Sequence, residues 1–123
     1  MNVDTMQVID LLRLARNSEE RKPAWGLQTE DLNVNLVVLD ADGGVALHTN
    51  TEVDVLLVGI DGKGRIEIDG ESREIGPGKA LVVPKGSSRS IHCTASHFAY
   101  LSCHRRRAGL WPERVPRPTA SQP

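Results

Sequence analysis

At 123 residues the chain is long enough for one domain with a real core and too short for two. It is 39% hydrophobic and 25% charged with a formal net charge of -1, the balance of an ordinary water-soluble protein. The longest apolar runs, "LVVL" and "VLLV", are far too short to cross a bilayer, so no membrane partner is expected.

Residues 4–16, "DTMQVIDLLRLAR", carry the spacing of an amphipathic helix. Asp4 stands in capping position with Gln7 three residues on, and Val8, Ile9, Leu11, Leu12 and Leu14 supply the apolar face. No basic-then-apolar leader pattern precedes it, which makes the cytoplasm the expected compartment. "NSEERKP" reads as a polar linker, so residues 1–24 form a helix plus connector.

From Trp25 the periodicity changes. Strands are expected near 31–39, 44–50, 53–60, 64–69, 72–75, 80–83, 88–93 and 97–105. They are separated by "DADGG", "DGKG", "DGES", "GPG", "PKGS" and "TAS", which are rich in residues that tolerate tight turns. "RIEID" alternates cleanly, with Ile66 and Ile68 on one face. Eight short strands at even spacing predict an all-β sandwich or jelly-roll barrel over 25–107. Residues 108–123 hold four prolines among scattered arginines and form a tail without a core of its own.

Charge is divided unevenly. Residues 105–123 hold five arginines against Glu113, leaving an acidic body behind a basic tail. That division, with Trp25, Phe98, Tyr100 and Trp111 as the whole aromatic complement, argues against nucleic acid as a partner. "RRR" at 105–107 reads first as a solvated face and second as an anion contact. Cys93 and Cys103 are expected to be free thiols.

Residues 31–105 resemble a single-domain cupin, a small jelly-roll barrel marked by two motifs at its mouth. The second motif, G-x5-P-x-G-x2-H, is matched by "GKALVVPKGSSR", with Gly78, Pro84 and Gly86 in place and Arg89 where the histidine belongs. The first, H-x-H-x3,4-E-x6-G, is met loosely by "HTNTEVDVLLVGIDG". His48 holds the first position, Asn50 and Asp54 replace the second histidine and the glutamate, and Gly62 comes one residue late. The wording is also similar to a group of small bacterial cupins with "EVDV" after an H-x-N pair and "HRRR" closing the last strand, a likeness that implies no known reaction.

The resemblance implies a first-row metal held by imidazoles and a carboxylate, and the substitutions argue against one. An amide oxygen is a poor ligand for such ions, and guanidinium adds a permanent positive charge. No metal cofactor is therefore expected; the alternative is a divalent ion held weakly by His48 and Asp54. A planar donor fork suits a carboxylate, so the chain is expected to bind a small polar or anionic metabolite through His48, Asn50, Asp54 and Arg89. Asp54 paired with Arg89 as a structural ion pair is the competing reading. Ser102 and His104 join the same mouth if "TAS" forms a hairpin that sets Ile91 opposite Tyr100 and Arg89 opposite Ser102. A one-residue slip would instead turn Ala99, Leu101 and Cys103 inward. Asn33 and Asn35 share one strand face, toward either water or a polar cavity.

Three functions follow from these residues. The first is a metal-independent binding module. The second is an enzyme using acid–base chemistry at His48 and Asp54, of isomerase, cyclase or lyase type, or weak metal-dependent chemistry at the same two residues. The third is a non-catalytic dimeric scaffold. A homodimer is expected in any case, because sheet edges and the apolar stripe of the helix need cover.

Overall fold

The computed structural model describes residues 6–17 and 24–106. Within them, α1 (Leu11–Asn17) precedes β1 (Trp25–Gln28), β2 (Leu32–Asp40), β3 (Gly44–Thr49), β4 (Val55–Ile68), β5 (Glu71–Ile75), β6 (Ala80–Val83) and β7 (Ser88–Arg105). The C-terminal tail, most of the linker and Asp4 lie outside the described residues.

The helix is shorter than its sequence pattern suggests. Asp10 caps it: its Oδ1 accepts the Arg13 amide at 3.1 Å, and its carbonyl accepts from Leu14 at 3.1 Å. Residues 7–10 are not helical, and Met6 and Val8 face solvent. A capping aspartate directly before Leu11, Leu14 and Ala15 starts the helix where its apolar face first meets the barrel. That face packs on Leu36, Val38 and Ala99, so the helix stripe finds its cover within its own chain.

The strands pair antiparallel throughout. Two long strands, β4 and β7, form the spine, and each serves two wings. In one wing the order is β1, β2, the second half of β7, the first half of β4, then β6. In the other, β3 pairs with the first half of β7, which pairs with the second half of β4, followed by β5. One apolar core takes residues from both wings: Leu39, Val55, Leu57 and Tyr100 from the first, Ile66, Ile75 and Ile91 from the second. Two wings sharing one interior make the jelly-roll barrel.

Two expected turns are not turns. "DGKG" and "TAS" both lie inside continuous strands, so the pairs 53–60/64–69 and 88–93/97–105 fuse into β4 and β7. The register of β4 against β7 shifts between Gly59 and Asp61 and again between Gly62 and Gly64, where extra residues bend the spine. Gly62 has φ 76°, and a Cβ there would overlap the His97 carbonyl; a Cβ on Gly64 would overlap the Phe98 ring. These glycines are bend residues rather than loop residues. β1, absent from the expected strands, adds an edge to β2 through Trp25↔Leu36 to Gln28↔Asn33.

At the bend Asp61 ties the helix to the spine. Its Oδ2 accepts from Arg16 Nε at 3.2 Å and from His97 Nε2 at 2.9 Å. The His97 hydrogen bond, aided by Arg16 and opposed by partial burial, holds the Asp61 carboxyl below its ordinary 3.8. A lowered folded pKa gives stability that is present above the ordinary value and disappears as pH falls through the lowered one.

Two outcomes check this account. Gly64→Ala should destabilise the protein by about 1–3 kcal/mol through overpacking against Phe98, and Gly62→Ala by more because strain at positive φ adds to it, both read by chemical denaturation. Asp61→Asn should flatten the loss of stability below pH 4 in thermal melts taken across the acid range. Identical acid limbs in wild type and variant would remove Asp61 from the explanation.

Candidate functional site

The site is built by a lock between two loops. Pro84 begins a turn in which Ser87 donates to the Pro84 carbonyl through both its amide (3.2 Å) and its Oγ (2.6 Å), with Gly86 at φ 90°. Gly86 N–H donates to the Asn50 carbonyl at 2.8 Å, and Lys85 N–H donates to Asp54 Oδ1 at 2.9 Å. The turn before β7 is thereby fastened to the loop after β3. Their flanking strands then place Arg89 directly opposite His48, with Thr49 opposite Ser88.

Arg89 points inward and is 1% exposed, the largest fully buried side chain among the described residues. Its Nε and Nη2 have no partner among the described residues. No ion pair reaches it among the described residues. Burial pulls the guanidinium below its ordinary pKa, with Tyr100 opposing; guanidinium nevertheless stays charged in proteins. Tyr100 lies close enough to sense that charge: burial raises its hydroxyl, and Arg89 lowers it in part.

Asn50 uses its amide oxygen locally. Oδ1 accepts the Glu52 amide at 2.9 Å and the Val53 amide at 3.3 Å, shaping the loop as an Asx turn. Its Nδ2 is buried without a partner. Asn50 therefore faces the interior as a donor. His48 is half-buried, with Nδ1 3.4 Å from the Ala46 carbonyl and a buried, unpartnered Nε2.

Asp54 is not part of this group. It is exposed, its carboxylate occupied by the Lys85 amide, while Val53 and Val55 are the inward residues of "EVDV". The structural ion pair with Arg89 is thus replaced by a backbone bond at the surface, and the acid–base pairing of His48 with Asp54 loses its carboxylate. The Asx turn at Asn50 sets which of the following residues face inward.

The last strand takes the inward register for Tyr100, Ser102 and His104, all buried, with Ala99 beneath α1 and Leu101 and Cys103 partly covered on the outer side. The route differs from the hairpin expected at "TAS". Arg89 and Ser102 belong to opposite wings and are not strand partners; Ser102 pairs with Asn35 and Leu57, and His104 lies opposite Asn33. Directly opposed residues share a face, so Asn33 and Asn35 line the interior side, half-buried, rather than facing water. Their alternation with Val34 was visible in the sequence; the pairing with Ser102 and His104 that turns them inward was not. His104 Nδ1 donates to the Arg105 carbonyl at 2.9 Å, and Ser102 Oγ is buried without a partner.

The unpartnered buried side-chain atoms among the described residues come from His48, Asn50, Arg89 and Ser102. They are donor-rich, and their one permanent charge is positive. This set does not fit a divalent metal. The amide oxygen is engaged, the carboxylate is outside, guanidinium stands opposite the remaining imidazole, and no group of three or more His, Cys, Asp or Glu is placed to hold an ion among the described residues. Of the arginines at 105–107, Arg105 at the end of β7 reaches the Glu52 carbonyl at 3.5 Å and Arg106 the Thr29 carbonyl at 3.2 Å; Arg107 lies outside the described residues. Both cysteines are free, and burial raises the Cys103 thiol.

No protein-family model matches the sequence, and no curated protein does. Solved structures do. A Bacillus halodurans protein superposes with a TM-score of 0.72 at 16% identity, over 83% of this chain and 82% of its own. KdgF from a Halomonas species gives 0.64 at 21%, over 69% and 78%. A cupin protein of Bacteroides fragilis is 30% identical over 69% of this chain and 73% of its own, with a TM-score of 0.58. The two wings on a β4–β7 spine, Gly78 before β6 and the Pro84–Ser87 turn feeding β7, and this likeness lead to one conclusion: the chain belongs to the cupin family.

Proposed function

We propose that this cupin is a metal-independent binding module whose interior takes a small organic anion, with Arg89 as anchor and His48, Asn50 and Ser102 orienting it. The observation that carries the reading is the Arg89 side chain, buried with Nε and Nη2 unpartnered and no ion pair among the described residues. An isolated buried charge costs several kcal/mol, and a fold keeps one when something outside the chain neutralises it. Nε and Nη2 lie on one edge of the guanidinium, the edge that meets both oxygens of a carboxylate in two parallel bonds. The free thiols suit a reducing compartment, consistent with the cytoplasm, and no helix among the described residues is long and apolar enough to cross a membrane.

Assembly as a homodimer is part of this reading, on different ground from the helix. Leu27, Val34, Cys103, Leu56 and Val82 are successive strand partners and form one row across the outer face of the first wing. Leu56 is 39% and Val82 53% exposed. Light scattering should give a dimer that Leu56→Lys dissociates; a monomer at every concentration rejects it.

Arg89→Met separates a binding anchor from a structural arginine. Without its unpaired charge the ligand-free protein should gain about 1–4 kcal/mol in chemical denaturation while losing anion binding. Arg89→Lys should keep the charge and still bind weakly, because ammonium cannot reproduce the fork. A loss of stability in Arg89→Met would make the arginine part of the scaffold. Elemental analysis of protein purified away from nickel resin and chelators should find well under one equivalent of transition metal. One equivalent bound through His48 would replace this reading with a metal-dependent one.

A further inference from the structure

We infer that the anion is a hydroxy-monocarboxylate, one carboxylate with a neighbouring hydroxyl; this deepens the reading above and rests on it. The first part is a charge count. Among the buried polar residues Ser87, Arg89, Ser90, Ser102 and His104, Arg89 is the one permanent cation. One buried positive charge neutralises one carboxylate. A dicarboxylate or a phosphate dianion would bring a second negative charge into the interior with nothing fixed to meet it.

The second part is an inventory of hydrogen-bonding sense. Arg89 Nε and Nη2 and Asn50 Nδ2 can only donate, since the Asn50 oxygen is committed to the Glu52 and Val53 amides. They suit carboxylate oxygens. His48 differs. Its Nδ1 lies 3.4 Å from the Ala46 carbonyl, which can only accept, so this contact favours the tautomer with the proton on Nδ1, in which the buried Nε2 presents a lone pair. His48 is the ladder partner of Arg89, so this acceptor stands beside the anion anchor. A bare carboxylate gives it nothing to accept and sets two lone pairs against each other. A hydroxyl next to the carboxylate donates to His48 Nε2, while Ser102 Oγ, able to donate or accept, serves whichever oxygen lies across the wings. A 2-oxo acid satisfies the donors and leaves His48 unanswered.

The test is a set of NMR-monitored titrations of the full chain with lactate, propionate, pyruvate, malonate and lactamide. Lactate should bind about tenfold more tightly than propionate or pyruvate, the effect of one added hydrogen bond at a desolvated acceptor. Malonate should be weaker than lactate, and lactamide, lacking the charge, should not saturate. In His48→Leu the preference for lactate over propionate should be lost, read as the ratio of the two affinities in the same variant. The wild-type series stands whether or not that variant folds. Equal binding of lactate, propionate and pyruvate overturns the hydroxyl assignment and leaves the anion-binding reading in place. Tighter binding of malonate overturns the charge count alone. No binding by any of the carboxylates overturns both.

Discussion

The bent ladder between β4 and β7 is the constraint from which the rest of the molecule follows. Fourteen and eighteen residues long, these strands are too long to serve a single short-stranded wing. The extra residues near Gly59–Gly64 and Thr94–His97 let one pair of strands line both walls. The bend depends on backbone approaching backbone and on Phe98 lying against a residue without a side chain. Because the spine is shared, inward positions at its two ends, Arg89 and the Tyr100–Ser102–His104 run, face a single interior. The outer side of the same bend receives α1 through Asp61, so helix docking and barrel closure meet at one place.

What this interior offers a ligand is decided by small local bonds rather than by the fold. An asparagine in a cavity has both a donor and an acceptor to give; here the Asx turn takes the acceptor and leaves the donor. A histidine can present either nitrogen; the Ala46 carbonyl favours one. An arginine at a barrel mouth would ordinarily swing toward water; the Pro84–Ser87 turn and its bond to Asn50 set the strand so that residue 89 points in. Each bond is worth about 1 kcal/mol in stability. Their larger effect is to fix the chemistry of the site before any ligand arrives.

Much of this was legible in the residues. The inward direction of Arg89 was implied by the cupin resemblance carried on Gly78, Pro84 and Gly86, and the alternation of "RIEID" reads correctly because one face of β4 is buried and the other is not. The failures share a cause. "DGKG" and "TAS" have turn chemistry, yet bends within a ladder need the same residues, and whether partner strands run past them is a non-local fact. "WGLQ" is too short, and too broken by Gly26, to show a period. Asp54 was misplaced because one residue of uncertainty between Asn50 and the acid is a question of parity, and in a strand parity decides inside from outside. The bond that settles it, Lys85 to Asp54, joins residues 31 apart.

That bond has a consequence for binding. Had Asp54 turned inward, the guanidinium would carry its own counter-ion, and any ligand would have to displace it. Two unit charges about 4 Å apart at an effective dielectric near 20 attract by about 4 kcal/mol, close to three powers of ten in an equilibrium constant. Held outside on a backbone amide, Asp54 does not compete. The loop lock that aims Arg89 into the barrel therefore also keeps the nearest acid of the motif away from it. Under the proposed anion-binding reading, a site arranged in this way gives up stability when empty in return for affinity when filled. The competing structural reading places that carboxylate inside, beside Arg89, whereas Asp54 is bonded to the Lys85 amide at the surface.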